Sequence, residues 1–227
     1  MRVLVVGWIL LIAGAASVSA QRDGVFEGRV VYTVETRSND PIGQYRDFAE
    51  RRHGDTLEVW FAANGDFKYL YRNAGWHGFE SLVYNQESNQ TFLKTNYSDT
   101  LFVSNAAENP LQLNVFARGG TSVILGQNCP SVFFSARHPI SGVEISETVY
   151  FFPELKTNPE FYRDYHDMFW NRMVTELGGI WLRRETNYGG YTVTYAAIEV
   201  IPGKPEPSQF QIDAALPQKN IEAVFGF

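Results

Sequence analysis

A cluster of acidic residues with one histidine lies between positions 160 and 167 of this 227-residue chain. Glu160, Asp164 and Asp167 follow one another at helical spacing, so on a single helix they would share one face, with His166 beside it. Such residue types could serve acid–base chemistry or bind a cation, but a hard cation prefers oxygens that converge from a loop. The pattern therefore favours a solvated helix face over a metal or catalytic site.

Two further carboxylate pairs have the residue types that glycoside hydrolysis uses, namely Asp55 with Glu58 and Glu144 with Glu147. Both pairs fall in segments with strand-like alternation, where residues three apart point to opposite faces. The sequence contains no motif for nucleophilic hydrolysis, zinc proteolysis, or dinucleotide or phosphate binding. We therefore predict no catalytic residue, no metal ligand and no cofactor, and we expect that the protein is not an enzyme.

The one cysteine of the chain, Cys129, cannot form an internal disulfide. No Cys-x-x-Cys motif or nearby pair of histidines suggests a metal site or a redox role for it. Because free cysteines are among the most buried residue types, we predict that Cys129 is a structural residue of the core.

Aromatic residues, which make up 15% of the chain, are the strongest remaining signal. One interpretation is a large packed β core, since aromatic side chains favour strands. The other is a cavity for an apolar ligand beneath a helix that crosses a curved sheet. For that second interpretation, the predicted ligand-binding residues are Phe161, Tyr165, Phe169, Trp170 and Trp181.

A helix is predicted to position most of these rings. Asn158 is a suitable N-cap and Pro159 a suitable first helical residue, and Glu160 complements the helix dipole. Apolar residues then recur at helical spacing on one broad face. The helix is predicted to end at Gly178-Gly179.

The rest of the chain indicates antiparallel strands. Residues 56–72 alternate on both sides of Asn64-Gly65, a dipeptide that favours tight hairpin turns. Closely spaced short strands are predicted up to Ser104, then from Thr121 after a Gly119-Gly120 boundary, with a last one at 210–212. The predicted fold class is mainly β (α+β), a curved antiparallel sheet or half-open barrel with one main helix packed across its concave side.

The N-terminus has the pattern of a cleaved signal peptide, residues 1–20, followed by a single β-rich domain, residues 21–227. Arg2 precedes an apolar run too short to span a membrane comfortably, and Val18-Ser19-Ala20 provides small residues for cleavage. Loss of Arg2 would leave 18 basic residues against 25 acidic ones, a net charge of about −7. We therefore expect a periplasmic or secreted protein with no further transmembrane segment and no nucleic-acid partner.

Several segments in the second half of the chain resemble the exported GLPGLI and DUF4412-type families of Bacteroidetes. The segments are residues 124–129 (Ile-Leu-Gly-Gln-Asn-Cys), 149–155 (Val-Tyr-Phe-Phe-Pro-Glu-Leu), 158–162 (Asn-Pro-Glu-Phe-Tyr), 178–182 (Gly-Gly-Ile-Trp-Leu) and 196–200 (Ala-Ala-Ile-Glu-Val). The resemblance covers about residues 121–213, and the segment 179–182 lacks the proline of the family pattern. It implies a fold similar to the LolA/LolB lipoprotein carriers and a location in the cell envelope.

These observations leave three functions open. The first is a non-enzymatic binding protein for an apolar or lipid-like ligand, held between sheet and helix and released when the helix swings away. The second is a structural or protein-interaction component of the cell envelope with a filled core. The third is a hydrolase of envelope polymers, against which the missing motifs count.

Overall fold

The computed structural model describes residues 24–222, so the predicted signal peptide lies outside the described residues. Twelve strands form one large, open, curved sheet in the order β12-β6-β5-β4-β3-β2-β1-β11-β10-β9-β8-β7. The strands are β1 Gly28–Ser38, β2 Thr56–Phe61, β3 Phe67–Arg72, β4 Phe79–Asn85, β5 Gln90–Thr95, β6 Ser98–Asn105, β7 Gln112–Ile124, β8 Gln127–Arg137, β9 Glu144–Phe152, β10 Ile180–Asn187, β11 Tyr191–Pro202 and β12 Gln218–Asn220. Neighbours pair antiparallel except β12 with β6. The predicted fold class is confirmed.

Alternation of apolar and polar residues explains why these segments form a sheet with one buried face. In β2, Leu57, Val59 and Phe61 are buried while the residues between them are only partly covered. The β2–β3 hairpin turns at the predicted Asn64-Gly65, with Phe61 opposite Phe67. The positive φ of 93° at Gly65 is of the kind that glycine tolerates and such a turn needs.

Helical structure is short and divided. The α-helices are α1 Arg46–His53 and α2 Trp170–Leu177, and the 3₁₀ helices are Pro159–Tyr162, Asp167–Phe169 and Pro207–Phe210. The prediction of one helix from Asn158 to Gly178 is therefore wrong in its continuity, although its two ends are confirmed. The Asn158 side chain accepts a hydrogen bond from the backbone N–H of Glu160, 3.1 Å long, and the Gly178 N–H closes α2 on Val174.

The break in the predicted helix has a visible cause. The backbone N–H groups of His166 and Asp167 both donate to the carbonyl of Ala106, at 2.7 and 3.2 Å. Met168 and Phe169 then take left-handed conformations, with φ of 51° and 59°, before α2 begins. A carbonyl that is distant in sequence thus replaces intrahelical acceptors, and the chain turns.

Two other predictions about elements are wrong. Gly119-Gly120 lies inside β7 rather than at a boundary. The pairing of β7 with β8 shifts register there, between Arg118 and Thr121. Residues 210–212 are predicted as a last strand, but Phe210 ends a 3₁₀ helix that begins at Pro207, and residues 211–212 after it form no strand. Proline fixes a φ that suits the first position of a helical turn.

The concave face of the sheet holds the core. Trp170, Met173 and Val174 of α2 are buried over it, so the short helix covers the concave side as predicted. Aromatic pairs recur through the interior, and one of them is Tyr32 stacked on Trp181 with ring centroids 4.1 Å apart. Within residues 24–222, no helix is long and apolar enough to cross a membrane.

Candidate functional site

A cavity of about 350 Å³ lies between α1, the turn that follows β8 and the turn that joins β10 to β11. Such a volume falls at the lower end of the range for small-molecule pockets. The lining residues are Phe48, Arg52, His53, Phe79, Pro110, Leu111, His138, Ser141, Val143, Ile145, Asp167, Met168, Tyr188 and Tyr191. Most of these side chains are apolar or aromatic, so the cavity suits the apolar part of a ligand.

The lining has an exposed rim and a buried floor. Phe48, Ser141 and Val143 are exposed, and Arg52 and His138 are partly exposed. The floor is made by buried residues, namely His53, Phe79, Ile145, Asp167, Met168 and Tyr191. A ligand that entered from solvent would therefore meet polar and apolar groups together at the rim and mainly apolar groups below.

Helix α1 supplies one wall of the cavity, and the residues of its first and last turns suit a helix. Asp47 lies in its first turn and Arg51, Arg52 and His53 in its last, which complements the helix dipole. The helix ends at Gly54, where φ is 69° and an added Cβ would lie 1.9 Å from the carbonyl oxygen of Arg72. Only glycine fits there, so close contact with the end of β3 fixes the position of the last turn.

The rings of Phe48 and Tyr191 meet edge to face at this wall, with centroids 5.9 Å apart. The Arg52 guanidinium carbon lies 5.5 Å from the ring centroid of Phe48 and 4.7 Å from that of Phe79. Both distances suit cation–π contacts. Arg52 is thereby held at the rim by the apolar residues on either side of it.

His53 is the buried end of α1 and is only 1% exposed. Its Nδ1 and the hydroxyl of Tyr195 form a 2.8 Å hydrogen bond, while its Nε2 has no hydrogen-bond partner among residues 24–222. Burial, reinforced by the positive charges of Arg52 and Arg184, lowers the pKa of His53 to about 3. The imidazole is therefore neutral at physiological pH.

Asp167 at the floor is 6% exposed, which contradicts the prediction that it shares a solvated helix face with Glu160 and Asp164. The latter two are exposed as expected. Burial raises the pKa of Asp167 to about 7, and the nearby Glu147 adds to that increase while Arg184 opposes it. The carboxyl group is thus partly protonated near neutral pH.

A buried ion pair lies beside Asp167. Arg184 Nη2 and Glu147 Oε2 are 2.9 Å apart, and the hydroxyl of Thr186 donates to the same oxygen at 2.9 Å. Glu147 and Thr186 are opposite each other on β9 and β10. Both charges are removed from water. Loss of either partner would therefore leave the other charge buried without compensation and destabilise the folded protein.

The carboxylate pairs considered for hydrolysis are separated as the strand alternation predicts. Glu144 is exposed, whereas Glu147 is buried. Glu58 bonds Arg29 and Arg72 at 2.9 Å each, and Asp55 instead accepts from Asn73. Cys129 is buried as predicted. The part of the chain from 24 to 222 contains no group of three or more side chains arranged to hold a metal ion.

The five residues predicted to bind ligand pack into the aromatic interior, and none of them is among the described residues that line the cavity. Tyr165 and Trp170 border a much smaller space of about 20 Å³. Tyr165 also stacks on Tyr84 with centroids 4.6 Å apart, and Phe169 meets Phe134 edge to face at 5.1 Å. Their role in ligand binding stays a prediction.

Phe161 and Trp181 also contact protein groups. An added Cβ at Gly65 would lie 2.6 Å from the Cβ of Phe161, so the β2–β3 turn lies directly against this ring. Trp181 is buried on Tyr32, whose hydroxyl donates to the Trp181 carbonyl at 2.8 Å. The five rings are therefore spread along the interior rather than gathered at one pocket.

Sequence reasoning missed the residues that do line the cavity. Arg52 and His53 fell in a short charged segment, and His138 in a turn, with no spacing motif to connect them. The only signal was the apolar Phe48 on an otherwise polar helix, which indicates a buried or partnered face. Their proximity depends on how distant segments meet.

Comparison with known proteins adds little. No protein-family model and no curated protein sequence matches the chain, so the resemblance to the GLPGLI and DUF4412-type families stays a prediction. Among solved structures, the lipoprotein LppX of Mycobacterium tuberculosis is similar, with 12% identity and a TM-score of 0.32. The similarity covers 77% of this chain and 87% of that one.

Proposed function

We propose that this protein is a non-enzymatic binding protein that takes the apolar part of a small lipid-like molecule into the cavity beside α1. The observation that carries the proposal is the cavity itself, about 350 Å³ with a mostly apolar lining. Because the rim is exposed to solvent, the apolar lining faces water, and covering that lining with an apolar group is favourable. A bound apolar group therefore has a free-energy reason to occupy it.

The proposal also specifies which segments move when a ligand enters or leaves the cavity. The segment 159–173 is fixed by buried Tyr162, Tyr165 and Trp170, so its displacement would expose a large aromatic area. Helix α1 and the turn 138–143 border the rim and have exposed side chains. We infer that ligand exchange uses movements of these two segments rather than the helix swing expected from the sequence.

The proposed location is the bacterial envelope or the exterior, as the predicted signal peptide indicates. An exported protein with an apolar cavity could hold a lipid or acyl chain away from water. Its net charge of −6 does not favour an anionic nucleic acid as a partner.

Binding is tested by native mass spectrometry of the purified protein and by displacement of a fluorescent fatty acid. Val143→Trp would place a large ring at the rim of the cavity, and we expect it to weaken binding at least tenfold. Val123→Trp is the matched control, because Val123 is 68% exposed at the end of β7 and does not line the cavity. A protein that binds no apolar probe, or a Val143→Trp variant that binds like the control, would refute the proposal.

A protein-interaction role is the second candidate, because β7 forms an edge of the sheet within residues 24–222. This strand spans Gln112–Ile124 and is largely exposed, with apolar Val115 and Val123 on its surface. Unpaired edges can add a strand from another chain. If this role holds, Val115→Lys should abolish recovery of one dominant partner from envelope extracts, whereas recovery of no partner by the wild type would count against it.

A further inference from the structure

Arg52 is a cation at the rim of the cavity without an anionic partner in the described part of the chain. No carboxylate of residues 24–222 lies within salt-bridge distance of its guanidinium, although the neighbouring Arg51 pairs with Asp47 at 3.6 Å. Its contacts are instead the rings of Phe48 and Phe79. A guanidinium stacked on aromatic rings keeps the N–H groups at its edge available for hydrogen bonds.

His138, in the turn that follows β8, provides a second donor in the lining of the same cavity. Nδ1 of His138 accepts a hydrogen bond from the backbone N–H of Ser141, 3.2 Å long, within the turn that follows β8. An imidazole whose Nδ1 accepts must carry its proton on Nε2, so that nitrogen is a donor in the neutral ring. Both His138 and Ser141 line the same cavity as Arg52.

From this arrangement we propose that the ligand is an amphiphile with an oxyanion head group, held at the rim by Arg52 and His138 while its apolar chain occupies the floor. The inference rests on the proposed binding function and specifies its ligand class. Arginine binds carboxylate and phosphate oxygens in a bidentate manner, so both head groups fit the donors present.

The negative charges near the cavity agree with this orientation. Asp167 is in the lining but belongs to the buried floor, and Glu147 is paired with Arg184. An anion placed on the floor would meet the Asp167 carboxyl group, whereas an anion at the rim meets a cation and an N–H donor. The head group therefore belongs at the exposed end, where it also retains contact with water.

The test compares four ligands of equal chain length, each below its micelle-forming concentration: decanoate, decyl phosphate, decanol and decylamine. Binding to the full chain after removal of the signal peptide is measured by calorimetry or by displacement of a neutral fluorescent probe. We expect the wild type to bind decanoate or decyl phosphate at least tenfold more tightly than decanol, and decylamine most weakly. The preferred acid identifies the head group as a carboxylate or a phosphate.

Arg52→Gln should remove this preference and lower acid affinity about tenfold or more relative to decanol affinity, since a charge-assisted hydrogen bond is lost. Arg51→Gln is the matched control and should bind like the wild type, because its side chain is outside the cavity lining. Circular dichroism confirms that each variant is folded.

The outcomes separate the two proposals. If all four ligands bind equally well, or if Arg52→Gln and Arg51→Gln retain the same preference for acids, the head-group inference is overturned and cavity binding stands. If none of the four ligands binds the folded wild type, both the inference and the proposed binding function are overturned.

Discussion

The buried carboxyl group of Asp167 should make the stability of this protein depend on pH in an unusual direction. Its pKa is raised from 3.8 to about 7 in the folded state. A raised folded pKa means that the native state binds the proton more tightly than the unfolded chain does. The associated stability is fully present below pH 3.8 and is lost as pH rises through about 7.

The magnitude follows from the pKa difference of about three units, at about 1.4 kcal/mol per unit. Ionisation of Asp167 should therefore cost about 4 kcal/mol of unfolding free energy between pH 4 and pH 8. Asp167→Asn keeps the shape of the side chain and removes the titration. The unfolding free energy of the variant, relative to that of the wild type, should therefore increase by about 4 kcal/mol from pH 4 to pH 8.

The opposite behaviour of His53 explains why a variant is needed to see this effect. The folded pKa of His53 is lowered from 6.5 to about 3. Its contribution to stability is present above pH 6.5 and is lost as pH falls through about 3, at most about 5 kcal/mol. Between pH 4 and 6.5 the two groups have opposite slopes, so they partly cancel in the wild type.

Urea denaturation of the wild type and of Asp167→Asn, measured from pH 4 to pH 8, isolates the Asp167 contribution as the difference between the two curves. Asp164→Asn is the control, because it makes the same substitution three residues away at an exposed carboxylate rather than a buried one. A difference between wild type and Asp167→Asn that is the same at pH 4 and pH 8 would refute the reasoning.

Two further predictions concern stability. Arg184→Met leaves the Glu147 carboxylate buried without its cation and should destabilise the protein by about 3–5 kcal/mol. A double variant that also carries Glu147→Met should recover most of this loss. Denaturation of the wild type, the two single variants and the double variant gives the coupling energy. Gly54→Ala should destabilise the protein by more than about 2 kcal/mol or prevent folding, because the added Cβ would overlap the Arg72 carbonyl. The control is Gly43→Ala, which has a similar φ but open space around it and should cost only about 1 kcal/mol. Equal melting temperatures for the two glycine variants would contradict the steric argument.

Sequence patterns were informative wherever the responsible interactions are local. The β2–β3 hairpin follows from the alternation on either side of Asn64-Gly65, and the cap of Asn158 on Glu160 follows from residues two positions apart. The mainly β class with one helical region is also predicted from such local patterns. These features depend on periodicity, capping and turn chemistry, which one segment carries within itself.

The interruption of the predicted helix could not be read from the same patterns. Residues 160–169 have helical spacing, yet the carbonyl of Ala106 takes the N–H groups of His166 and Asp167. That acceptor lies sixty residues earlier in the chain. As a consequence Asp167 turns inward, and a residue predicted to be solvated becomes part of the cavity floor.

The sequence by itself determined the β-rich class and the strand alternation, because side-chain periodicity and turn residues act over a few positions. The tertiary structure alone decided where the cavity lies and which groups face it. Arg52, His138 and Asp167 come from three separate segments, and their common site exists only because sheet curvature brings α1, the turn after β8 and the segment before α2 together.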